Sequence, residues 1–312
     1  MKKIYYRREP GKLPCYRSFL RSPGQAGFRK GTIALLSMLA MLSILTACIS
    51  DIEIKVPETE NTYVIEGWIE QGGFAHVLVS HSLPYNSTIG IADLFELLVT
   101  DAQVTVKSDT GEERLLLVED TMYTILPVYR GFLLRGETGK DYTLEVKIGD
   151  QVFTSTDTLL EPIGPDSLWF SPEAINDSLG YIHMRLKDPP EPGNYYRIFT
   201  KRLGIDTDYT GLSGSLLDDH LFNGTAINFP LIRTGITTET GDKHFFRKGQ
   251  RVVVKTGVIT SRYFDFLSKV SNEIGQTLSP LSFQVPAVTL MNGGALGGWG
   301  CYAITLDTLD IK

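Results

Sequence analysis

Asp206-Thr207-Asp208-Tyr209-Thr210-Gly211 places oxygen ligands at the first, third and fifth positions of a loop, with glycine sixth, as a calcium loop begins. The bidentate acid such a loop needs at its twelfth position is Leu217 here, with Asp218 and Asp219 one and two places late. Asp206, Asp208 and Thr210 are thus an incomplete calcium set, and an acidic surface turn is the expectation. Asp109-Thr110-Gly111 copies the aspartic-protease triplet. That chemistry needs two carboxylates sharing a proton, and no second triplet occurs, so a hairpin turn is expected. The five histidines are His76, His81, His183, His220 and His244. His76 and His81 stand an odd number apart on one strand-like run and face opposite sides. The others are scattered. These patterns imply no catalytic residue, no cofactor and no metal.

The run Gly293 to Gly300 lacks the Lys-Ser/Thr of a phosphate loop. Its glycines instead predict positive φ angles and close backbone packing. Gly211-Leu212-Ser213-Gly214-Ser215 fails the nucleophile-elbow pattern at its last position. Tyr195, Tyr196, Tyr209, Phe222, Phe245, Phe246 and Trp299 crowd the second half. They could form a sugar- or peptide-binding face, although ordinary burial preference puts most of them in the core.

Cysteine usage leads from chemistry to location. Of Cys15, Cys48 and Cys301, the second closes an apolar run, Gly31 to Leu45, that follows a leader rich in Lys and Arg. A basic region, an apolar region and small residues make a secretory signal peptide. The run is shorter than the roughly 20 residues of a membrane-crossing helix. Thr46-Ala47-Cys48 resembles the bacterial lipobox, which predicts cleavage before Cys48 and acylation of its sulfur. Cys301 then stands without a disulfide partner, in an apolar stretch that predicts a buried small hydrophobe.

Cleavage leaves 265 residues, enough for about two domains. The leader carries nine of the 30 Lys and Arg but one of the 36 acids, so the mature chain holds 21 against 35, a net charge of −14. Such a surface excludes the Lys- and Arg-driven binding of nucleic acid, and it excludes docking on anionic lipid by charge. The membrane tie is the acyl group.

The elements that must position any site read as short strands between turn signals, the pattern of an all-β sandwich. Residues 48–58 form an acidic tether. Residues 59–160 read as an immunoglobulin-like β-sandwich, and 161–312 as a second β-rich domain with one helix, the whole chain being mainly β. Gln71-Gly72-Gly73 predicts a hairpin, and Tyr142 to Ile148 alternates with period two. Ile91 to Leu98 suits a short helix or packed loop. Ser261 to Ile274 is the convincing helix, with Ser261 able to cap it and Gly275 to end it. Glu161-Pro162-Ile163-Gly164-Pro165 marks the domain boundary.

Four places resemble a Bacteroidetes lipoprotein family known as a domain of unknown function, family 4249. They are Tyr63 to Trp68 after the Cys48 start, Asn194-Tyr195-Tyr196-Arg197, Leu221-Phe222-Asn223-Gly224, and Asn292 to Gly300. The resemblance implies an outer-membrane lipoprotein encoded beside a TonB-dependent receptor and carries over no catalytic residue. Asp51 and Glu53 after the lipidated cysteine loosely resemble a surface-export signal, which favours the cell surface over the periplasmic face. Five Asp-Ser/Thr-apolar triplets resemble the O-glycosylation sequon of exported Bacteroidetes proteins, with acceptors Thr121, Thr158, Ser167, Ser178 and Thr308. The leading expectation is a non-enzymatic binding or accessory subunit of a TonB-dependent uptake system. A surface hydrolase acting on glycans or peptides and an adhesive module are the alternatives.

Overall fold

The computed structural model describes residues 62–82, 91–119, 126–233, 244–277 and 289–312. The leader, Cys48, the tether and Thr121 lie outside them. The first half carries β1 (Tyr63–Glu70), β2 (Phe74–His81), the short helix α1 (Ile91–Glu96), β3 (Gln103–Ser108), β4 (Gly111–Arg114), β5 (Leu116–Val118), β6 (Val128–Arg135), β7 (Lys140–Ile148) and β8 (Gln151–Leu159). The second half carries β9 (Ser167–Pro172), β10 (Leu179–Lys187), β11 (Tyr195–Arg202), β12 (Thr210–Asp218), β13 (Ala226–Leu231), β14 (Phe246–Arg247), β15 (Arg251–Ile259), the helix α2 (Ser261–Thr277) and β16 (Leu296–Asp310). The protein is mainly β, as its sequence indicates. Among the described residues no helix is long and apolar enough to cross a membrane.

Eight strands make one large sheet in the order β12-β11-β15-β16-β1-β2-β6-β5. Period-two side-chain placement gives this sheet two different faces. One face buries Ile65, Ile69, Ile198, Val252, Val254, Trp299 and Cys301. Two smaller sheets cover it: β4-β3-β7-β8, and β13-β10-β14 with β9 paired to β10. Their inward residues, among them Val104, Leu144, Ile182 and Met184, join the same hydrophobic cluster. The other face carries α2, which buries Tyr263 and Phe266 against Tyr302 and Ile259.

The boundary expected at residues 160–161 is not a break in the large sheet. β1, β2, β5 and β6 come from before it, and β11, β12, β15 and β16 from after it. The join is a parallel pairing of the first strand with the last, from Val64 opposite Leu296 to Glu70 opposite Tyr302. Pro57–Lys312 accordingly forms one compact unit.

Local expectations fare well where the signal is a turn or a glycine. Asp109-Thr110 is the turn between β3 and β4, closed by the pairing of Ser108 with Gly111. Gly297 has φ of 104°, and a Cβ there would fall 2.1 Å from the Ile65 carbonyl oxygen. The helix differs at both ends. Thr260, not Ser261, caps it: its hydroxyl accepts a hydrogen bond from the Tyr263 amide at 3.3 Å. That hydroxyl also donates to Asp157 Oδ1 at 2.7 Å, a partner Ser261 does not have. Gly275 lies inside the helix, which continues to Thr277.

Candidate functional site

Glu66, Trp68 and Glu70 share one face of β1, and Arg197, Phe199 and Lys201 share the same face of β11. Lys255 on β15 and Tyr302 on β16 stand between them. With Tyr263 and Phe266 of α2 above, these side chains enclose a cavity of about 540 Å³. Two glycines make the geometry. Gly298 lies opposite Glu66 and Gly300 opposite Trp68. A Cβ on the first would fall 2.8 Å from the Phe266 ring, and on the second 2.2 Å from the Tyr263 ring. The missing side chains let α2 settle onto β16, and its Phe264 also packs on Tyr195 of β11 with ring centres 4.9 Å apart.

The polar groups in the cavity are arranged rather than scattered. Lys255 Nζ pairs with Glu70 Oε1 at 2.6 Å, and lies 4.4 Å from the Tyr209 ring centre and 5.0 Å from that of Phe199. Arg197 Nη1 donates to the Tyr302 hydroxyl at 2.5 Å, which in turn donates to the Tyr263 hydroxyl at 3.4 Å. Burial pushes both phenols above the ordinary tyrosine range, more than the Arg197 charge pulls them back. They therefore stay neutral hydrogen-bonding groups at physiological pH. Lys201 Nζ donates to the Thr207 carbonyl at 2.7 Å.

Two groups remain without such partners. Glu66 makes no hydrogen bond or ion pair among the described residues. It lines the cavity while remaining solvent-exposed, and desolvation by the surrounding protein pushes its carboxyl above the usual range. Arg197 Nε is buried without a hydrogen-bond partner among the described residues. The walls are aromatic and the unpaired polar groups few, the composition of a small-molecule pocket.

Few residues picked out in the sequence reach this site. Tyr209 and Asp208 line it. Asp206 does not: its carboxylate is held by Arg202 at 2.6 Å with Arg233 at 3.7 Å. Among the described residues no three His, Cys, Asp or Glu side chains gather as a metal set. Trp299, Tyr196 and Phe246 are core residues. His76 stacks on Trp68 and His183 on Trp169. Cys301 is buried and its thiol pushed well up by desolvation, which removes nucleophilic character. Thr158 donates to Asp141 at 2.6 Å and Ser178 to Asn176 at 2.5 Å, while Ser167 and Thr308 are exposed.

Sequence reasoning missed Glu66, Trp68, Glu70, Arg197, Phe199, Lys255 and Tyr302 as a set. A signal existed in the alternation of β1 and β11, where every second residue is charged or aromatic. Two places that carry the family resemblance do meet in space. Tyr196 stacks on Phe222 with ring centres 6.5 Å apart, and the Tyr196 hydroxyl and the Gly224 amide both donate to the Asp188 carboxylate.

A search of curated proteins returns no match. The sequence profile described as Domain of unknown function (DUF4249) matches residues 49–293, beginning directly after Cys48 and covering well over half of the chain. The protein is a member of the DUF4249 family.

Proposed function

We propose that the protein is a lipid-anchored, non-enzymatic binding or accessory subunit of a TonB-dependent uptake system, holding a small amphipathic ligand in the α2 cavity. The observation that carries this reading is the cavity itself. Its volume of about 540 Å³ falls within the roughly 300–1,000 Å³ of ligand pockets, and it sets Glu66 and the Lys255–Glu70 pair beside aromatic walls. An adhesive module has no use for such a space. The lipobox-like end at Cys48 supports the anchor, and the resemblance to lipoproteins encoded beside TonB-dependent receptors supports the partner. Asp51 and Glu53 favour the cell-surface face of the outer membrane.

The hydrolase alternative draws less support from the geometry. Glu66 and Glu70 are the acids of β1 that line the cavity, and a glycosidase mechanism needs two carboxyl groups free to act as a pair. Glu70 is instead committed to Lys255. Affinity purification of the tagged, lipidated protein from its own outer membrane, followed by mass spectrometry, tests the reading. Stoichiometric recovery of a TonB-dependent receptor is expected, and a Cys48→Ser variant is expected in the soluble fraction. Recovery of the acylated protein alone would sink the uptake role.

A further inference from the structure

The charges lining the cavity balance: Arg197, Lys201 and Lys255 stand against Glu66, Glu70 and Asp208. Lys255 and Glu70 pair at 2.6 Å, with only 8% and 19% of their side chains exposed, so both ions are largely withdrawn from bulk water. The pair is not closed on itself. Glu70 Oε2 takes no hydrogen bond among the described residues, yet it keeps accessible surface. The ammonium group has three N–H donors. One goes to Glu70 Oε1, and the Tyr209 and Phe199 rings lie beside the others, with centres 4.4 and 5.0 Å from Nζ. Trp68 precedes Glu70 by two residues on the same strand face, about 7 Å along β1. Leu267 of α2 lines the cavity with it.

Resting on the binding reading above, we propose that the cavity takes a neutral saccharide. A vicinal diol lies on the Lys255–Glu70 pair, one hydroxyl accepting from Nζ and its neighbour donating to Oε2. The C–H face of the sugar ring lies against Trp68 and Leu267. A hydroxyl both donates and accepts, so a diol answers a donor and an acceptor that stand side by side without bringing a charge of its own. An anion or a cation would meet three groups of its own sign along with three of the other. An acyl chain would suit the apolar wall but would cover the ion pair with Glu70 Oε2 unanswered, and a buried polar group without a partner costs free energy. A sugar ring, apolar on its faces and polar at its edge, matches an aromatic wall beside a closed ion pair.

Isothermal titration calorimetry with maltotriose, cellotriose, the per-O-methylated form of each, and N-acetyl-alanyl-leucyl-alanine amide tests the assignment. A free trisaccharide is expected to bind, and its methylated form, which has no hydroxyl donor, to bind about tenfold more weakly, as for loss of one hydrogen bond to a charged group. The Glu70→Met/Lys255→Met double variant removes both ions together and leaves no unpaired charge. In it the free sugar is expected to bind no better than the methylated one, with the urea midpoint showing that it folds. A tenfold difference that persists there overturns the placing of the diol. Equal binding of free and methylated sugar by the parent protein, or binding of the capped peptide instead, overturns the saccharide and leaves the binding reading standing. If no probe binds, native mass spectrometry of the membrane-purified protein separates the cases. A bound saccharide supports the assignment, a small molecule of another class overturns the saccharide alone, and an empty protein overturns both.

Discussion

Asp157 is the carboxylate on which three elements meet. It sits on β8, accepts the Thr260 hydroxyl that caps α2 and accepts the Cys301 amide of β16, each at 2.7 Å. Burial pushes its carboxyl above the ordinary aspartate range, more than these two bonds pull it down. A raised folded value means that the native state holds the proton more tightly than the unfolded chain. The resulting stabilisation is complete below about pH 4, the unfolded value, and is lost as pH rises through the folded one. Asp157→Asn is therefore expected to show a smaller fall in urea midpoint between pH 4 and pH 7 than the parent. An unchanged fall would show that Asp157 is not the titrating group. Gly300 makes a second prediction at this scale. A methyl group there would press on the Tyr263 ring from 2.2 Å, in a cluster where Tyr263 is already buried. Gly300→Ala is expected to cost about 1–3 kcal/mol in urea unfolding, the range for overpacking. Gly294, where a Cβ meets nothing within 4 Å but φ is 94°, supplies a control that tests backbone strain without the clash.

Elements were legible in the sequence where their pattern is local. The α2 spacing, the Gln71-Gly72-Gly73 hairpin and the Asp109-Thr110 turn each announce themselves within a few residues. What sets the helix cap is not local, because Thr260 is preferred over Ser261 through its bond to Asp157, 103 residues away. Thr260→Ala is expected to cost about 1–2 kcal/mol for the lost cap, and Thr260→Ser to recover most of it, by urea denaturation. Equal loss in both variants would mean that the methyl group, not the hydroxyl, matters. The bulge of β6 was illegible for a similar reason. Phe74 lies opposite Arg135 but His76 opposite Arg130, so residues 131–134 bow out of the ladder. The amides of Phe132, Leu133 and Leu134 are met by the buried carboxylate of Glu113 at 2.6–2.9 Å, from 19 to 21 residues upstream. β16 escaped notice because its glycines carry no hydrophobic alternation; they are small to admit α2. The cavity followed them out of sight, since half of its lining is legible only once β1 and β11 are known to share a sheet.

At the scale of the whole molecule, the first strand has no stable place without the last. β1 lies between β2 and β16, and its pairing with β16 runs the strand's length. Trp299 of β16 is fully buried between the large sheet and the sheet containing β7, its indole N–H donating to the Tyr142 carbonyl at 2.9 Å. Burying a large apolar side chain contributes about 1.5–3 kcal/mol, and β16 brings Trp299, Cys301 and Ala303 to this core together. Loss of several such residues matches the whole 5–15 kcal/mol margin of an ordinary domain. A fragment of residues 57–160 is consequently expected to lack a cooperative urea transition and to give poorly dispersed amide resonances, even though it contains eight strands. A fragment that unfolds cooperatively would make the first half a domain in its own right, with β16 an added edge. Removing residues 296–312 from the full chain distinguishes the same two pictures from the other end. It takes away the cavity floor and the partner of β1 at once, so loss of ligand binding and of folding should coincide. If folding survives while binding is lost, the strand serves the site alone.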